Sequence, residues 1–244
     1  MHLEILNSSK ETLDYEFHGD PSDTSLLAII GHGVTGNKDR PWAVGLAEAL
    51  EKAGFNALRF SFSGNGKSGG KFEDSTITKE VKDLKTIVDA AEEEGYHRVC
   101  YIGHSMGAAV GVLATAKDER IELLVSLSGM VHTKQFLERE FGDQKPGKGC
   151  MWDDKDCPLS QAFADDLTKI GNVLSKTEKI EVPWLIVHGD ADDVVPVEEG
   201  QEIYASAYEP KEIVILPGVD HVYSGDGLVQ MTDAVVSWLK GHSH

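Results

Sequence analysis

A serine held on a sharp turn between a strand and a helix leaves few architectures open to this chain. Cys100-Tyr101-Ile102 is an apolar, strand-forming run that leads into Gly103-His104-Ser105-Met106-Gly107, and Ala108-Ala109-Val110 continues as helix. This is a G-x-S-x-G motif in strand–turn–helix context. The turn lifts the serine hydroxyl beyond the end of the sheet and strains its backbone, and bulky neighbours two residues away would clash. Gly103 and Gly107 remove that clash. The Met106 N–H, at the start of the helix, points towards a developing oxyanion. Five residues alone could be a glycine-rich turn with a chance serine; the flanking elements favour a nucleophile. His104 adjoins Ser105 in sequence, where side chains diverge, so it reads as a packing or hydrogen-bonding residue.

The rest of the chain supplies the frame. Short apolar runs alternate with helical patterns, which implies a mainly parallel α/β sheet covered on both faces. Leu26–Ile30, Ala57–Phe62, Arg98–Gly103, Ile121–Leu127, Val182–His188 and Glu212–Leu216 read as its strands. Two further strands, near Leu3–Leu6 and Leu13–Phe17, are expected to pair antiparallel, making eight. Helices are expected around Trp42–Ala53, Thr78–Glu94, Met106–Ala116, Val197–Ser206 and Leu228–Leu239. Val81, Leu84, Ile87, Val88 and Ala91 share one face of the second. Between Gly129 and Lys179 the pattern breaks into glycines, prolines, two cysteines and Trp152. That stretch reads as a cap insertion (131–178) in one domain spanning 1–244. Its apolar residues, among them Phe136, Leu137, Trp152 and Phe163, are expected in part to cover the site and in part to pack on the sheet.

Two loops complete a candidate site. The strand ending at Ile30 runs into Gly31-His32-Gly33-Val34-Thr35-Gly36-Asn37. An oxyanion hole takes a second donor from the loop after such a strand. Gly33 lets the backbone approach, His32 supports the loop, and the Val34 N–H is the expected donor. Gly189-Asp190-Ala191-Asp192-Asp193-Val194-Val195-Pro196 offers three aspartates. In the pattern G-x-x-D-x-x-V-P the aspartate three residues past the glycine reaches the histidine, which selects Asp192, with Asp193 as first alternative. Asp190 and Asp193 are expected to stabilise the turn or cap the next helix. Gly218-Val219-Asp220-His221 follows the last strand, which gives the order Ser105, Asp192, His221. In this reading His221 is the base and Asp192 orients it. The scheme calls for no metal and no organic cofactor.

Composition narrows the partners. Lys plus Arg is 23 against 41 Asp plus Glu, a net charge of −18. Such a surface repels phosphate backbones and anionic head groups, so nucleic acid and membranes are not expected partners. A small-molecule ester is, and a homodimer stays open. The start of the chain lacks a signal-peptide pattern and no run is long enough to span a bilayer. Three cysteines, Cys100, Cys150 and Cys157, fit a reducing, cytoplasmic setting better than a disulfide framework. Gly64-Asn65-Gly66-Lys67-Ser68-Gly69 matches the dinucleotide fingerprint by letter, but no helix opens where the phosphate would need one, so it reads as a tight turn. Gly241-His242-Ser243-His244 reads as a frayed end.

Over nearly the whole chain these motifs resemble the α/β-hydrolase superfamily. Gly31-His32-Gly33-Val34-Thr35-Gly36-Asn37-Lys38, Arg59-Phe60-Ser61-Phe62-Ser63-Gly64-Asn65-Gly66 and Gly70-Lys71-Phe72-Glu73 look like bacterial cinnamoyl (feruloyl) esterases and related carboxylesterases. The resemblance implies an α/β-hydrolase fold and hydrolysis of carboxylic esters, hydroxycinnamates among the candidates, with the insertion forming an acyl-binding wall. Met106 stands where those esterases tend to have Gln, and Asn65 where His is frequent. A thioesterase, peptidase or acyltransferase would use the same triad, and a small-molecule receptor could retain it for binding.

Overall fold

A computed structural model describes residues 4–242. Among these, β1 (Tyr15–His18), β2 (Leu27–Gly31), β3 (Asn56–Phe60), β4 (Val99–His104), β5 (Ile121–Leu127), β6 (Trp184–Gly189) and β7 (Lys211–Leu216) form one sheet. Its order is β1-β3-β2-β4-β5-β6-β7. Only β1 runs antiparallel, against β3. The helices are α1 (Pro41–Lys52), α2 (Ile77–Glu93), α3 (Met106–Thr115), α4 (Thr133–Phe141), α5 (Gln161–Ile170), α6 (Leu174–Thr177), α7 (Val197–Ser206) and α8 (Asp226–His242).

The central strands read as unbroken apolar runs because both their faces are covered. Leu27 and Ile29 of β2 join a core with α2 and α3 on one side; Ala28 and Ile30 join a core with α1 and α8 on the other. Local signals set the helix starts. Pro41 opens α1, where a missing N–H costs nothing. The Thr76 side chain caps α2 by accepting from the Lys79 N–H at 3.1 Å. Leu84, Ile87, Val88 and Ala91 are buried along α2, and Val81 is partly so.

The sheet has seven strands, not the expected eight. Residues 4–13 fold back as foreseen, with the Leu13 N–H donating to the Ile5 carbonyl at 2.8 Å, but they make only one isolated bridge, Leu6 with Thr12. Leu3 lies outside the described residues. Two things stop the pairing. Asn7 Oδ1 accepts from the Ser9 and Glu11 N–H groups at 2.9 and 3.0 Å and tightens the turn. Backbone groups at Thr12 and Asp14 are taken up by the Gly64–Gly69 loop: the Gly69 N–H donates to the Thr12 carbonyl at 2.7 Å, and the Asp14 N–H to Ser68 Oγ at 2.8 Å. That loop is a turn fastened to the sheet edge; a 3-10 turn (Phe72–Asp74) follows it, and the next α-helix opens at Ile77.

Between β5 and β6 lie α4, α5 and α6. Phe136 and Phe163 are buried in the core there, and Leu137 packs against it. Trp152 differs: it is 46% exposed, in a left-handed conformation (φ 46°, ψ 40°) within a short 3-10 turn. Cys150 and Cys157 are unbonded. Trp238 stacks on His242, which sits at the end of α8; Ser243 and His244 lie outside the described residues. Among the described residues no helix is long and apolar enough to cross a membrane.

Candidate active site

The carboxyl ends of β2, β4, β6 and β7 carry the four loops that bear the expected site residues. Register brings them level: Gly31 lies beside Gly103, and Gly189 beside Leu216. Ligands on open parallel sheets bind at this end. A cavity of about 330 Å³ opens there, and His32, Gly33, Val34, Ser105 and His221 are among its lining residues.

Ser105 joins β4 to α3 with φ 55° and ψ −120°, a backbone that a residue with a side chain rarely adopts. Its surroundings hold it there. The Ser105 N–H donates to the Leu127 carbonyl at 2.9 Å, and its own carbonyl accepts from the Ala108 and Met130 N–H groups at 3.0 and 3.1 Å. A side chain at Gly103 would overlap the Gly107 carbonyl, and one at Gly107 would meet the carbonyls of His32 and Gly31. The two glycines therefore serve different contacts: the first lets the strand pass the helix, and the second lets the helix meet the β2 loop.

The β2 loop is fixed by a histidine of determined tautomer. The Phe62 N–H donates to His32 Nε2 at 3.0 Å, so the ring proton sits on Nδ1, which donates to the Gly33 carbonyl at 2.9 Å. Burial, the largest effect, pushes His32 down to about 4 and keeps it neutral. The Gly33 carbonyl also accepts from the Gly36 N–H at 3.0 Å. In a planar trans peptide the Val34 N–H must then point the opposite way. It makes no hydrogen bond to the described residues, and Val34 lines the cavity. A Cβ on Gly33 would fall 2.7 Å from the Ser105 Cβ and 3.1 Å from its Oγ, so only glycine allows this approach.

Asp192 is the aspartate that meets His221. Its Oδ2 lies 2.8 Å from His221 Nδ1, with the carboxylate fully buried. Its Oδ1 accepts from the Val194 and Val195 N–H groups at 2.9 and 2.8 Å. Burial opposes ionisation, but donors from His188, His221 and Val195 outweigh it and hold the carboxyl far below the usual range. Asp190 serves elsewhere, its Oδ1 accepting from the Gly218 N–H at 2.6 Å and tying this loop to the one bearing His221. Asp193 caps nothing, since α7 has Pro196 at its N-cap. Asp220 Oδ1 accepts from the Ser224 N–H at 2.8 Å and faces its own turn.

Two histidines support this arrangement. His104 Nε2 donates to the His221 carbonyl at 2.8 Å, and its ring packs between those of Trp42 and His221. Sequence reading missed His188. Its Nε2 lies 2.9 Å from the Val195 carbonyl and 3.3 Å from Asp192 Oδ2, so that nitrogen carries the proton and serves both acceptors. A histidine closing an otherwise apolar strand, directly before Gly189-Asp190, was the available signal.

Comparison with known proteins agrees with this fold. The family model described as serine aminopeptidase, S33, matches residues 26–144. Est1E from Butyrivibrio proteoclasticus, solved with ferulic acid, superposes with a TM-score of 0.86 at 27% identity, covering 97% of each chain. This chain has the α/β-hydrolase fold. The Pyrococcus furiosus esterase Pf2001 gives a TM-score of 0.75 at 26% identity, over 98% of this chain and 90% of that one. The uncharacterized protein YfhR of Escherichia coli K12 is 24% identical over 205 residues, 83% of this chain but 65% of that protein. The chain thus spans about two thirds of that relative's length.

Proposed function

We propose that this chain hydrolyses carboxylic esters, with Ser105 as nucleophile, His221 as base and Asp192 as the orienting acid. The observation that carries the reading is the buried Asp192 carboxylate 2.8 Å from Nδ1 of a histidine that shares one cavity with Ser105. A carboxylate there fixes the proton on Nδ1 and leaves Nε2 free to accept one.

Ser105 Oγ attacks the ester carbonyl as His221 Nε2 takes its proton. The oxyanion is met by the N–H groups of Val34 and Met106. Collapse breaks the ester C–O bond, and the proton passes from His221 to the departing alcohol. Water then gives His221 a proton and attacks the acyl-serine. Ser105 recovers its proton as the acid leaves. The cycle uses protein groups and water alone.

Hydroxycinnamoyl esters are the finer proposal, supported by the likeness to Est1E, whose solved structure holds ferulic acid. The segment 131–178 acts as a cap in this reading, with Trp152 as its contribution to the cavity wall. A peptidase is the second reading, favoured by the description of the matching family model. A fluorophosphonate probe followed by peptide mapping tests the nucleophile, and a panel of 4-nitrophenyl, hydroxycinnamoyl and aminoacyl-anilide substrates separates the readings. Modification at Ser105 with turnover of esters is expected; modification at another serine would overturn the mechanism, and turnover of anilides alone would favour the peptidase.

A further inference from the structure

We infer that Arg40 is a specificity residue that binds a carboxylate on the substrate, so the preferred esters carry an anionic group in addition to the scissile bond. The inference rests on the esterase reading above and names its substrate class.

Arg40 lines the same cavity as Ser105 and His221, and it is the one Lys or Arg among the residues lining it. The side chain donates through Nη2 to the Thr35 carbonyl at 2.8 Å, which anchors it to the loop bearing Gly33 and Val34. The remaining N–H donors form a planar fork suited to a carboxylate.

Arg40 is exposed and stands without a counter-ion. The chain has 41 acidic residues against 23 Lys and Arg. Neighbouring cations use them: Lys38 lies 3.0 Å from Asp39 and 3.6 Å from Asp14, and Arg59 lies 2.6 Å from Asp39. Asp39 precedes Arg40 in the chain, yet its Oδ1 is held by those two and it makes no ion pair with Arg40. Among the described residues no carboxylate pairs with Arg40. The rest of the wall is largely apolar, with Val34, Trp42, Trp152, Val194 and Val222. A mainly apolar cleft with a few placed polar groups is a usual plan for orienting a small ligand.

The net charge of −18 does not oppose this. Salt screens distant surface charges beyond a Debye length of about 8 Å, whereas a contact pair in a cleft is screened much less. A large polyanion would still be repelled by the surface around the cleft.

The test uses two pairs of esters. One is the 4-nitrophenyl monoester of adipic acid, with its far carboxyl either free or as a primary amide. The other is 4-acetoxybenzoate against 4-acetoxybenzamide, which moves the charge to the leaving group. The readout is the ratio of kcat/KM for the anionic over the neutral member, compared between wild type and Arg40→Gln. Any general loss from freeing the Thr35 carbonyl cancels in that ratio. In at least one pair the ratio should fall about tenfold or more in R40Q, as for loss of a hydrogen bond to a charged group. The change should lie mainly in KM, with partial recovery in Arg40→Lys. Ratios unchanged in both pairs, with neutral esters still turned over, would overturn the role of Arg40 and leave the esterase reading intact. A wild type inert to all four esters, with Ser105 unlabelled by fluorophosphonate, would overturn the esterase reading and this inference together.

Discussion

Replacing His104 with glutamine should remove part of the acid sensitivity of this protein. Burial above all, and then the charge of the adjacent His221, lower His104 from 6.5 to about 3. In the unfolded chain a histidine takes up its proton near pH ~6.5. Between those values the unfolded state binds a proton that the folded state refuses, so stability falls as pH drops through this window. From pH 7.5 to 5.0 the difference amounts to about one proton over about 1.5 pH units, or about 2 kcal/mol. For a domain of this size that is about 4–8 °C in Tm. His32, lowered to about 4 by burial, adds a like term in the same direction. Glu80 works against both, because burial raises its pKa well above the ordinary value and acidification relieves that cost. Asp192, held well below the ordinary carboxylate range, loses its stabilising ionisation only at more acid pH. These groups are common to wild type and His104→Gln, so the comparison isolates His104, and the Gln amide can still donate to the His221 carbonyl. Thermal unfolding from pH 5.0 to 7.5 is the assay. The wild type should lose about 2 kcal/mol more than the variant on acidification. Equal losses would refute the argument that His104 is held neutral by its surroundings.

Ser105→Ala should keep its melting temperature and lose ester turnover by several orders of magnitude, leaving the roughly 10³–10⁴-fold acceleration over water that binding and the oxyanion hole supply. Asp192→Asn should cost on the order of 10⁴ in kcat by releasing the histidine tautomer, while Asp190→Asn and Asp193→Asn cost far less; the opposite ranking in steady-state assays would move the acid to another residue. Gly33→Ala places a Cβ 2.7 Å from the Ser105 Cβ. Its kcat should drop about 10²–10³-fold, as for loss of an oxyanion donor, and an unaltered kcat would dismiss the β2 loop from the chemistry. Trp152→Ala, at the cavity wall, should change the preference between small and bulky acyl groups; an equal change for both would count against a selective cap.

Most of the elements, their order and the candidate triad were legible in the sequence, because each of those signals is local. A helix needs a face every 3.6 residues, a doubly covered strand an apolar run, and the serine turn two glycines at fixed spacing. The choice of Asp192 over Asp190 and Asp193 was likewise a matter of spacing, and the structure brings that side chain to His221. Long-range partnership was settled only by folding. The N-terminal strand was lost because the Gly64–Gly69 loop, more than 50 residues away, takes the backbone groups it would have used. Phe136, Phe163 and Trp152 look alike in sequence, yet the first two are buried in the core and the third lines the cavity, since burial depends on what an element packs against. His104 and His32 gain partners from distant segments, which sequence spacing cannot reveal, whereas His188 meets Asp192 and Val195 of the loop that directly follows its strand. The lack of an ion pair at Arg40 follows the same rule. Its neighbour Asp39 is the obvious counter-ion along the chain, yet in the folded protein Asp39 pairs with Lys38 and Arg59.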